Sequence, residues 1–493
     1  MQSPSKKFIK LYNNNTPQII SKKIVADLET PVSALIKLSQ KNKFPFLLES
    51  VEGGNTRGRY SAIGINPDLI WKCKNGKAEI AKEFESNPKF TKESSSPLSS
   101  LKKLINDSMI ELPKSLPPLS AGLFGYIGYD MVQYFEDIKL SNKDPLNLPE
   151  TILMRPSLVC IFDRLKDEFI LVTPIRSDKR INAIEAWEKG IRNLDQAIED
   201  LNTGLPHSNL PVQQTEFYKN EAPSNLSKDQ YFNSVDKAKE YIKAGDIYQV
   251  VLSQRFEIPF EKSSISFYRS LRRLNPSPFL FHFDFNEFSV VGSSPEILVR
   301  VRNNECTIRP IAGTRPRGKT QKEDDKLEIE LLNDPKEIAE HLMLLDLGRN
   351  DVGRVCKPGT VQVTESFSVE KYSHVMHIES EVRGILRNNM SSLDALIAGF
   401  PAGTVSGAPK IRAMEIIEEL ETEKRGIYSG AVGYFSASGD MDTCIALRTG
   451  IIKDKILYIQ AGGGIVHDST QEGEETETRN KANALIRAAE ISD

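Results

Sequence analysis

The chain has 493 residues, of which 39% are hydrophobic and 27% are charged, and its formal net charge is -3. This composition is ordinary for a globular protein of about two or three domains, and the net charge gives no case for nucleic acid or an anionic membrane as a partner. The N-terminus lacks the apolar core of a signal peptide, and no apolar run reaches membrane-spanning length. The scattered cysteines contain no C-x-x-C pair, which argues for a reducing compartment and against zinc or disulfides: Cys73, Cys160, Cys306, Cys356 and Cys444. We therefore expect a cytoplasmic protein with no nucleic-acid or membrane partner.

In the N-terminal part, short apolar runs typical of strands are mixed with stretches of helical spacing. The runs Phe46–Ser50 and Leu158–Phe162 favour strands, whereas residues 31–41 and 181–200 favour helices. Residues 86–100, rich in serine and lysine, predict a surface loop.

A second polar stretch divides the chain. Residues 206–227 contain prolines among polar residues, which is typical of a linker between domains. We therefore predict an N-terminal domain over residues 1–205 and a C-terminal domain over residues 228–488.

Beyond the linker, helical and strand patterns follow each other in groups. A helix is expected from Lys228 to Ala244, because apolar residues recur at helical spacing and Gly245 supplies a stop. The strand-like runs are Ile247–Phe256, Phe279–Phe285, Ser289–Arg302, Tyr428–Phe435, Thr443–Ile452 and Lys455–Ala461. Further helices are expected over about residues 334–347, 391–398, 409–421 and 476–491. Consecutive strands, with helices between the groups, predict an α+β fold with mainly antiparallel sheets.

An acidic segment near the C-terminus follows the triple glycine Gly462–Gly464. Read as the start of a helix, it brings Glu474, Glu477 and Lys481 onto one face, because their spacings are three and four. Two carboxylates and an ammonium beside backbone without Cβ atoms could hold Mg²⁺ and a small anion, since Mg²⁺ takes one or two carboxylates and leaves positions for substrate oxygens. The alternative is a solvated acidic helix start.

A second acidic segment begins at Asp334, which caps a helix that Pro335 starts. Glu337 and Glu340 share one face of this helix, beside an apolar stripe. Alone, the pattern is that of an amphipathic helix with solvated acids. Paired with the C-terminal acidic helix, it offers the missing cation ligands from the opposite side.

Three further segments carry groups that suit an anionic ligand or proton transfer. The loop that contains Thr404 enters a helix near Pro409, where free N–H groups can bind a carboxylate or phosphate; a simple capped helix is the alternative. Arg448 accompanies small residues on one face of a strand-like run and can grip a carboxylate, unless it forms a structural salt bridge. His374 and His377 would face opposite sides of a strand, so one of them could carry a proton, and geometry alone does not choose between this role and a core histidine.

Taken in order, these segments resemble the chorismate-utilising enzymes, and most closely the anthranilate synthase component I family. The matching motifs of the C-terminal part are Pro310–Gly318, Asp334–Asp351, Val375–His377, the Thr404 loop, Asp442–Thr449, the Gly462–Gly464 turn and Glu477–Lys481. Upstream, Phe46–Ser50 and Gly58–Gly64 are similar to the N-terminal domain of that family, so the resemblance covers nearly the whole chain. It implies two mainly antiparallel sheets packed as a sandwich with helices outside, in which the catalytic and the N-terminal regulatory parts are intertwined.

The resemblance also implies a substrate and the residues that act on it. The substrate is chorismate, a dianion with a ring carboxylate and an enolpyruvyl carboxylate. Glu340 and Glu477 would hold Mg²⁺, which receives the ring carboxylate. Glu296 would be the general acid for the departing ring hydroxyl, and His377, rather than His374, would be the base. The implied substrate-binding residues are Gly313, Thr314, Thr404, Tyr428, Arg448, Gly462, Gly463, Gly464 and Lys481.

Two positions favour one member of this family. Relatives that attack chorismate with water carry a lysine base where this chain has Gln249, and aminodeoxychorismate synthases carry a lysine where it has Ala312. Ammonia needs neither lysine, so the resemblance implies amination at C2 and loss of pyruvate, which yields anthranilate. Aminodeoxychorismate synthesis and a catalytically silent regulatory subunit are the alternatives.

The resemblance further implies a partner and an inhibitor. The chain has no Gly-x-Cys-x-Gly turn of a glutaminase, so glutamine would be used only with a separate amidotransferase subunit, component II, and the chain alone would use free ammonia. Such enzymes are Mg²⁺-dependent lyases that begin tryptophan biosynthesis and are inhibited by L-tryptophan. The residues that match the inhibitor pocket are Ser50, Pro278, Phe279 and Leu280, with a plain core strand as the alternative. Gln471 and Gly463 depart from the family pattern, and we expect both to lie in turns.

Overall fold

The computed structural model describes residues 3–52, 56–82, 88–205, 222–372 and 375–492. The α-helices in these ranges are α1 (Lys6–Asn13), α2 (Pro31–Ser39), α3 (Pro97–Asp107), α4 (Ala183–Leu201), α5 (Lys228–Ala244), α6 (Ser264–Leu274), α7 (Gln321–Asn333), α8 (Pro335–Val355), α9 (Ser392–Gly399), α10 (Lys410–Leu420) and α11 (Gln471–Glu490). The strands are β1 (Gln18–Val25), β2 (Phe46–Glu52), β3 (Thr56–Arg57), β4 (Tyr60–Lys74), β5 (Lys77–Ala81), β6 (Thr91–Lys92), β7 (Gly122–Ile127), β8 (Thr151–Asp163), β9 (Glu168–Ile175), β10 (Gln249–Pro259), β11 (Phe279–Asp284), β12 (Ser289–Ser294), β13 (Ile297–Arg302), β14 (Glu305–Ile308), β15 (Ile311–Pro316), β16 (Gln362–Lys371), β17 (Val375–Ile385), β18 (Gly407–Ala408), β19 (Ala431–Ser436), β20 (Met441–Ile445), β21 (Thr449–Lys453) and β22 (Ile456–Ile465).

Two antiparallel sheets share the long strands β4 and β8, whose halves lie in different sheets. The hydrogen-bonded order of the first sheet is β1-β9-β8-β4-β2-β11-β12-β21-β22-β10-β18. That of the second is β6-β5-β4-β8-β7-β19-β20-β13-β14-β17, with β15 and β16 also paired to β17. Each sheet joins a block of N-terminal strands to a block of C-terminal strands, because β2 pairs with β11 and β7 pairs with β19. The predicted α+β fold with intertwined parts is confirmed.

The core has one apolar cluster between the sheets and further clusters between the sheets and the outer helices. Aromatic side chains from both sheets meet in the interior, where the ring centroid of Phe46 is 4.7 Å from that of Phe124 and 5.3 Å from that of Phe283. Such burial stabilises the sandwich by roughly 25 cal/mol for each Å² of apolar surface removed from water. Helices α1, α2, α4, α6 and α11 share one outer apolar cluster, and α3, α5, α9 and α10 share another. In the described ranges, none of the helices combines the length and the apolar character that a membrane span needs.

The predicted linear organisation is only partly reproduced. Helix α5 begins and ends as predicted, since Ser227 caps its start and Gly245 adopts φ +84° at its end. The loop predicted over residues 86–100 is present over residues 88–90 and 93–96 of its described part, but the short β6 interrupts it and its last four residues belong to α3. Residues 206–221 of the predicted linker lie outside the described residues, and the division into domains 1–205 and 228–488 stays a prediction.

Two runs predicted as continuous strands are interrupted. The run over residues 289–302 breaks at Pro295 and Glu296, where the chain crosses from β12 in the first sheet to β13 in the second. The run over residues 443–452 breaks between β20 and β21, where the chain crosses back. Arg448 adopts φ +47° in this crossing, so the prediction that it lies on a strand face is wrong. Glu296 and Arg448 therefore both lie where the chain passes between the sheets.

Candidate active site

Glu296 is a buried acid whose carboxyl accepts from the hydroxyl of Thr404 and from the backbone N–H of Ile311. Its side chain is 6% exposed, and Thr404 Oγ1 donates to the carboxyl at 3.1 Å from each oxygen. Burial raises the pKa of Glu296 to about 8, an effect that the hydrogen bond from Thr404 partly opposes. The surrounding cavity wall includes Leu344 and Leu347, which keep water from solvating a charge. Glu296 therefore keeps its proton near neutral pH and can donate it.

His377 is buried too, but burial favours its neutral form, which can accept a proton. Its Nδ1 lies 2.8 Å from the carbonyl oxygen of Gly313 and 3.1 Å from Thr314 Oγ1. A carbonyl can only accept, so the proton of the neutral ring is on Nδ1 and the lone pair is on Nε2. Burial first, and then the charges of Arg448 and Lys481, lower the pKa of His377 to about 4, although its hydrogen bond to Gly313 opposes the change. Gly313 turns its carbonyl toward the ring with φ +66°.

The loop that contains Thr404 differs slightly from the prediction. Thr404 lies in a 3-10 turn over Gly403–Val405, and Pro409 is the residue that precedes the first turn of α10, not a member of that turn. The hydroxyl of Thr404 donates its proton to Glu296. Thr404 therefore acts on the acid, and it does not bind an anion at the start of the helix.

The three consecutive glycines lie inside β22, so their prediction as a turn is wrong. A Cβ atom on Gly462, Gly463 or Gly464 would approach a polar side-chain atom to 2.5–2.7 Å in each case. The atoms met are Tyr428 Oη at 2.7 Å, Glu474 Oε2 at 2.5 Å and Gln249 Nε2 at 2.5 Å, in that order. A side chain here would displace these groups. The three positions are therefore glycine because other side chains approach the backbone closely, and not because the backbone must be flexible. Gln471 is likewise not in a turn, since it is the first residue of α11.

Arg448 supplies an uncompensated positive charge. Its Nη1 donates to Asn275 Oδ1 at 3.3 Å, and in the described part of the chain it forms no ion pair with a carboxylate. Burial lowers the pKa of its guanidinium from the usual value. The structural salt bridge considered as its alternative role is therefore absent among the described residues. Lys481 adds a second cation, with Nζ 2.9 Å from Gly462 O and 2.8 Å from Glu477 Oε1.

The acidic residues of α8 and α11 face a common region. Gln249 Nε2 donates to Glu340 Oε1 at 3.1 Å. Burial raises the pKa of Glu340, and the negative charges of Glu337 and Glu477 raise it further. Glu340 and Glu477 are thus close enough for each to act on the other, although Glu477 is 48% exposed.

One buried carboxylate oxygen in this region has no hydrogen-bond partner among the described residues. Glu474 is 8% exposed, and its Oε2 has no hydrogen-bond partner beneath the bare backbone of Gly463. Among the residues that the structure describes, no group of three or more His, Cys, Asp or Glu side chains is arranged to hold a metal alone. Mg²⁺ takes only one or two carboxylates and completes its shell with water and substrate oxygens, so Glu340 and Glu477 remain suitable ligands.

The predicted inhibitor residues meet across two strands. Ser50 of β2 pairs with Phe279 of β11, so their half-buried side chains share one face of the sheet. Leu280 pairs with Glu49, and its side chain is buried on the opposite face of the sheet. Only the backbone of Leu280 could therefore contact a ligand beside Ser50. Pro278 directly precedes β11.

Contacts among the predicted residues join Thr404 to Glu296, Gly313 and Thr314 to His377, and Lys481 to Gly462 and Glu477, while His374 lies outside the described residues. Sequence reasoning missed Asn275 as the partner of Arg448 and gave no role to Arg425, which donates to the carbonyl of Val405 beside Thr404. The spacing of four residues between Glu421 and Arg425 was a signal for an ion pair. No sequence signal marked its contact with the loop.

Known proteins provide a second line of argument. A family model described as chorismate binding enzyme matches residues 46–487. The chain is 53% identical over 478 residues to anthranilate synthase component 1 of Cereibacter sphaeroides, covering 96% of this chain and 94% of that protein. It is 45% identical to anthranilate synthase component 1 of Aquifex aeolicus, with coverages of 95% and 94%. The crystal structure of anthranilate synthase component I from Streptococcus pneumoniae matches with a TM-score of 0.76 at 36% identity, covering 94% of this chain and 99% of that one. The chain belongs to the chorismate-binding enzymes, and within them to the anthranilate synthase component I family.

Proposed function

We propose that this chain is the aminating component of anthranilate synthase, a lyase that converts chorismate and ammonia into anthranilate, pyruvate and water. One observation carries the proposal: a single segment of chain bonds both groups, since the backbone of Ile311 bonds the buried carboxyl of Glu296 and the carbonyl of Gly313 bonds the buried ring of His377. Burial raises the pKa of the first and lowers that of the second. The reaction needs both, because one oxygen must leave as water and one carbon-bound proton must be removed.

The first half of the reaction assigns the acid. Ammonia attacks C2 of the ring with its own lone pair, both ring double bonds shift by one position, and the C4–oxygen bond breaks. The ammonium group formed at C2 then loses one proton to solvent. Glu296 gives its proton to the departing oxygen, which leaves as water. The hydroxyl of Thr404 holds the carboxyl in one orientation through both steps.

The second half assigns the base. Nε2 of His377 takes the proton from C2, the electron pair completes the aromatic ring, and the C3–oxygen bond breaks. The enolpyruvate that leaves takes up one proton and becomes pyruvate. The carbonyl of Gly313 fixes the ring tautomer that keeps Nε2 free for this step.

The two substrate carboxylates find different partners. The guanidinium of Arg448 bonds Asn275 but pairs with no carboxylate among the described residues, so it can bind the enolpyruvyl carboxylate, and Tyr428 lies beside Gly462 to assist. At its glycines β22 pairs only with β10, and alternation along a strand leaves every second amide free on the other edge. Gly313, Thr314 and Lys481 complete the pocket.

Mg²⁺, held by Glu340 and Glu477, would supply a positive charge for the ring carboxylate. Glu474 is suited to a water of that ion through its unpartnered oxygen. The chain's own contribution is the pair of helix starts that bring these acids together, with Gln249 orienting Glu340 by one hydrogen bond.

Two residues favour ammonia over other nucleophiles. Gln249 cannot act as the base that water attack requires, and Ala312 cannot form the covalent amine adduct that aminodeoxychorismate synthesis uses. Aminodeoxychorismate synthesis is therefore the weaker candidate. A silent regulatory subunit is weaker still, because Glu296, His377 and Glu340 are all retained.

Product identification tests the proposal. The purified chain is mixed with chorismate, Mg²⁺ and ammonium at mildly alkaline pH, and products are separated by chromatography. Anthranilate, detected by its fluorescence, together with an equal amount of pyruvate is the expected result. 4-Amino-4-deoxychorismate without pyruvate would instead identify the second candidate, and unchanged chorismate would refute both.

The pKa values set an expected pH dependence. The pKa of His377 is lowered to about 4, so the base is neutral above that pH, and the pKa of Glu296 is raised to about 8, so the acid is protonated below it. At a constant concentration of NH₃, kcat/KM for chorismate should rise through about pH 4 and fall through about pH 8. A value that keeps rising well above pH 8 contradicts the role of Glu296.

Use of glutamine requires a partner in this proposal. All five cysteines are buried and unpaired, so none is presented as the nucleophile of a glutaminase. Component II, an amidotransferase subunit, would release ammonia from glutamine and pass it to this chain.

Inhibition by L-tryptophan belongs to the same proposal. The segment from Asn275 to Pro278 links the partner of Arg448 to the strand that faces Ser50. Tryptophan bound beside Ser50 and Phe279 would therefore act on a residue that orients the substrate cation, which gives a short route for inhibition.

Ser50→Phe tests the inhibitor site. A phenyl ring would fill the space beside Phe279, so the concentration of tryptophan that halves the rate should rise at least about tenfold, equivalent to ~1.4 kcal/mol of lost binding. The rate without tryptophan should change little. Inhibition curves that coincide for the two proteins would remove Ser50 from the site.

A further inference from the structure

Arg425 joins two segments that shape the active site. Its Nη1 donates to the carbonyl oxygen of Val405 at 2.7 Å, and its Nη2 donates to that of Val251 in β10 at 2.6 Å. Glu421 accepts from Nη2 at 2.6 Å and from Nε at 2.9 Å. The side chains of Arg425 and Glu421 are only 1% and 7% exposed. Every one of these contacts is thus made away from water.

The N-terminal part of the chain holds Arg425 from the other side. The ring of Tyr129 lies 4.9 Å from the guanidinium carbon, within the range of a cation–π contact. The neighbouring Gly426 is held as well, because its carbonyl accepts from Tyr129 N at 2.8 Å and its N–H donates to Asp130 Oδ2 at 3.2 Å. Arg425 is therefore fixed by both parts of the chain.

The contact of Arg425 with Val405 is one residue away from the donor to Glu296. Val405 follows Thr404 in the 3-10 turn, and Thr404 is the donor to both oxygens of Glu296. Removing a charge pair from water is costly, and an apolar pair would fill the same space without that cost. A guanidinium is favoured where several carbonyl and carboxylate acceptors must be held in one fixed geometry.

We propose that Arg425 is a positioning residue which, stacked on Tyr129, holds Thr404 in hydrogen-bonding contact with the carboxyl of Glu296. The inference deepens the proposed function and rests on it for the part that Glu296 plays in turnover. The contact itself does not depend on the reaction, so it can be measured without turnover.

The test follows the protonation of Glu296 by difference infrared spectroscopy of its carboxyl band during a pH titration, with Glu296→Gln to identify the band. The hydrogen bond from Thr404 lowers the pKa of Glu296, so Thr404→Val should move the midpoint to higher pH. Arg425→Lys, which cannot reach all four acceptors, should move it in the same direction. The double variant should titrate no higher than Thr404→Val alone, because both changes remove one contact.

Kinetics provide the second readout. Arg425→Lys should lower kcat by roughly tenfold with a smaller effect on KM, since the loss falls on the orientation of the acid. Arg302→Lys is the matched control, because Arg302 also pairs with a carboxylate, Asp442, and lies 5.6 Å from a tyrosine ring, Tyr434. It should leave both the titration midpoint and kcat unchanged.

The outcomes separate the two proposals. If Arg425→Lys does not fold, Tyr129→Leu replaces it, since loss of the ring should produce a smaller shift in the same direction. A midpoint that moves in Thr404→Val but not in the Arg425 or Tyr129 variants overturns the positioning role. If the unmodified chain forms no anthranilate, the proposed function fails, while the titration midpoints still decide whether Arg425 acts on Glu296 through Thr404.

Discussion

Glu296→Gln is expected to lower kcat for anthranilate formation by about a thousandfold, the scale on which general acid catalysis contributes. Glutamine has nearly the shape of the protonated carboxyl and can still accept the hydrogen bond from Thr404, so the substitution removes little except the transferable proton. The rate is measured from anthranilate fluorescence under saturating chorismate and ammonium. A loss of less than about tenfold would transfer the acid role to another group.

A matched control distinguishes the loss of the transferable proton from the loss of a buried carboxyl as such. Glu150 is also 6% exposed, and burial raises its pKa too, but it lies at the start of β8 with one oxygen accepting from Asn75 N. Glu150→Gln should leave kcat within about twofold of the unmodified chain, because no reacting atom meets this side chain.

Stability provides an independent signature of the same acid. A carboxyl whose pKa rises from 4.5 to about 8 on folding stabilises the fold fully below pH 4.5 and loses that contribution as the pH rises through about 8. Glutamine has no such loss. The melting temperature of Glu296→Gln should therefore gain on that of the unmodified chain as the pH increases toward 9, about one unit above this pKa.

Glu477→Ala is expected to lower turnover at limiting Mg²⁺ by about a hundredfold or more, because it removes one of the two proposed metal ligands. Glu340→Gln should act in the same direction from the opposite helix. The loss should be accompanied by weaker binding of Mn²⁺, a paramagnetic substitute that is counted by electron spin resonance without any turnover.

The control for this pair lies on the same helix. Glu472 is an exposed acid in the first turn of α11, two positions before the buried Glu474, so Glu472→Gln changes the charge of the helix start but no proposed ligand. It should keep both activity and Mn²⁺ binding. Full activity of Glu477→Ala at limiting Mg²⁺ would refute the choice of ligand.

Local signals predicted local structure well. Helix α5 was predicted at both ends, because Ser227 and Gly245 act on the few residues beside them. The crossings between the sheets were not predicted, since a continuous apolar run does not reveal that its two halves pair with different strands. Glu296 and Arg448 lie at these crossings, so their surroundings depend on contacts that are distant in sequence.

The glycines illustrate a different limit. Three consecutive glycines normally favour a turn, which was predicted here and is wrong. The importance of their missing Cβ atoms was predicted correctly. Their reason lies in Tyr428, Glu474 and Gln249, which come from three other segments and approach the strand closely. The roles of Glu296 and His377 came from resemblance to a family, and only burial in the folded chain explains why one keeps its proton and the other does not.

The protonation state of Glu296 at neutral pH tests the central claim most directly. Difference infrared spectra of the unmodified chain and Glu296→Gln at pH 7 isolate the absorption of this one carboxyl. The account predicts the band of a protonated acid, which disappears as the pH passes about 8. The band of an ionised carboxylate at pH 7 would contradict it, because the site would then hold no proton for the departing oxygen.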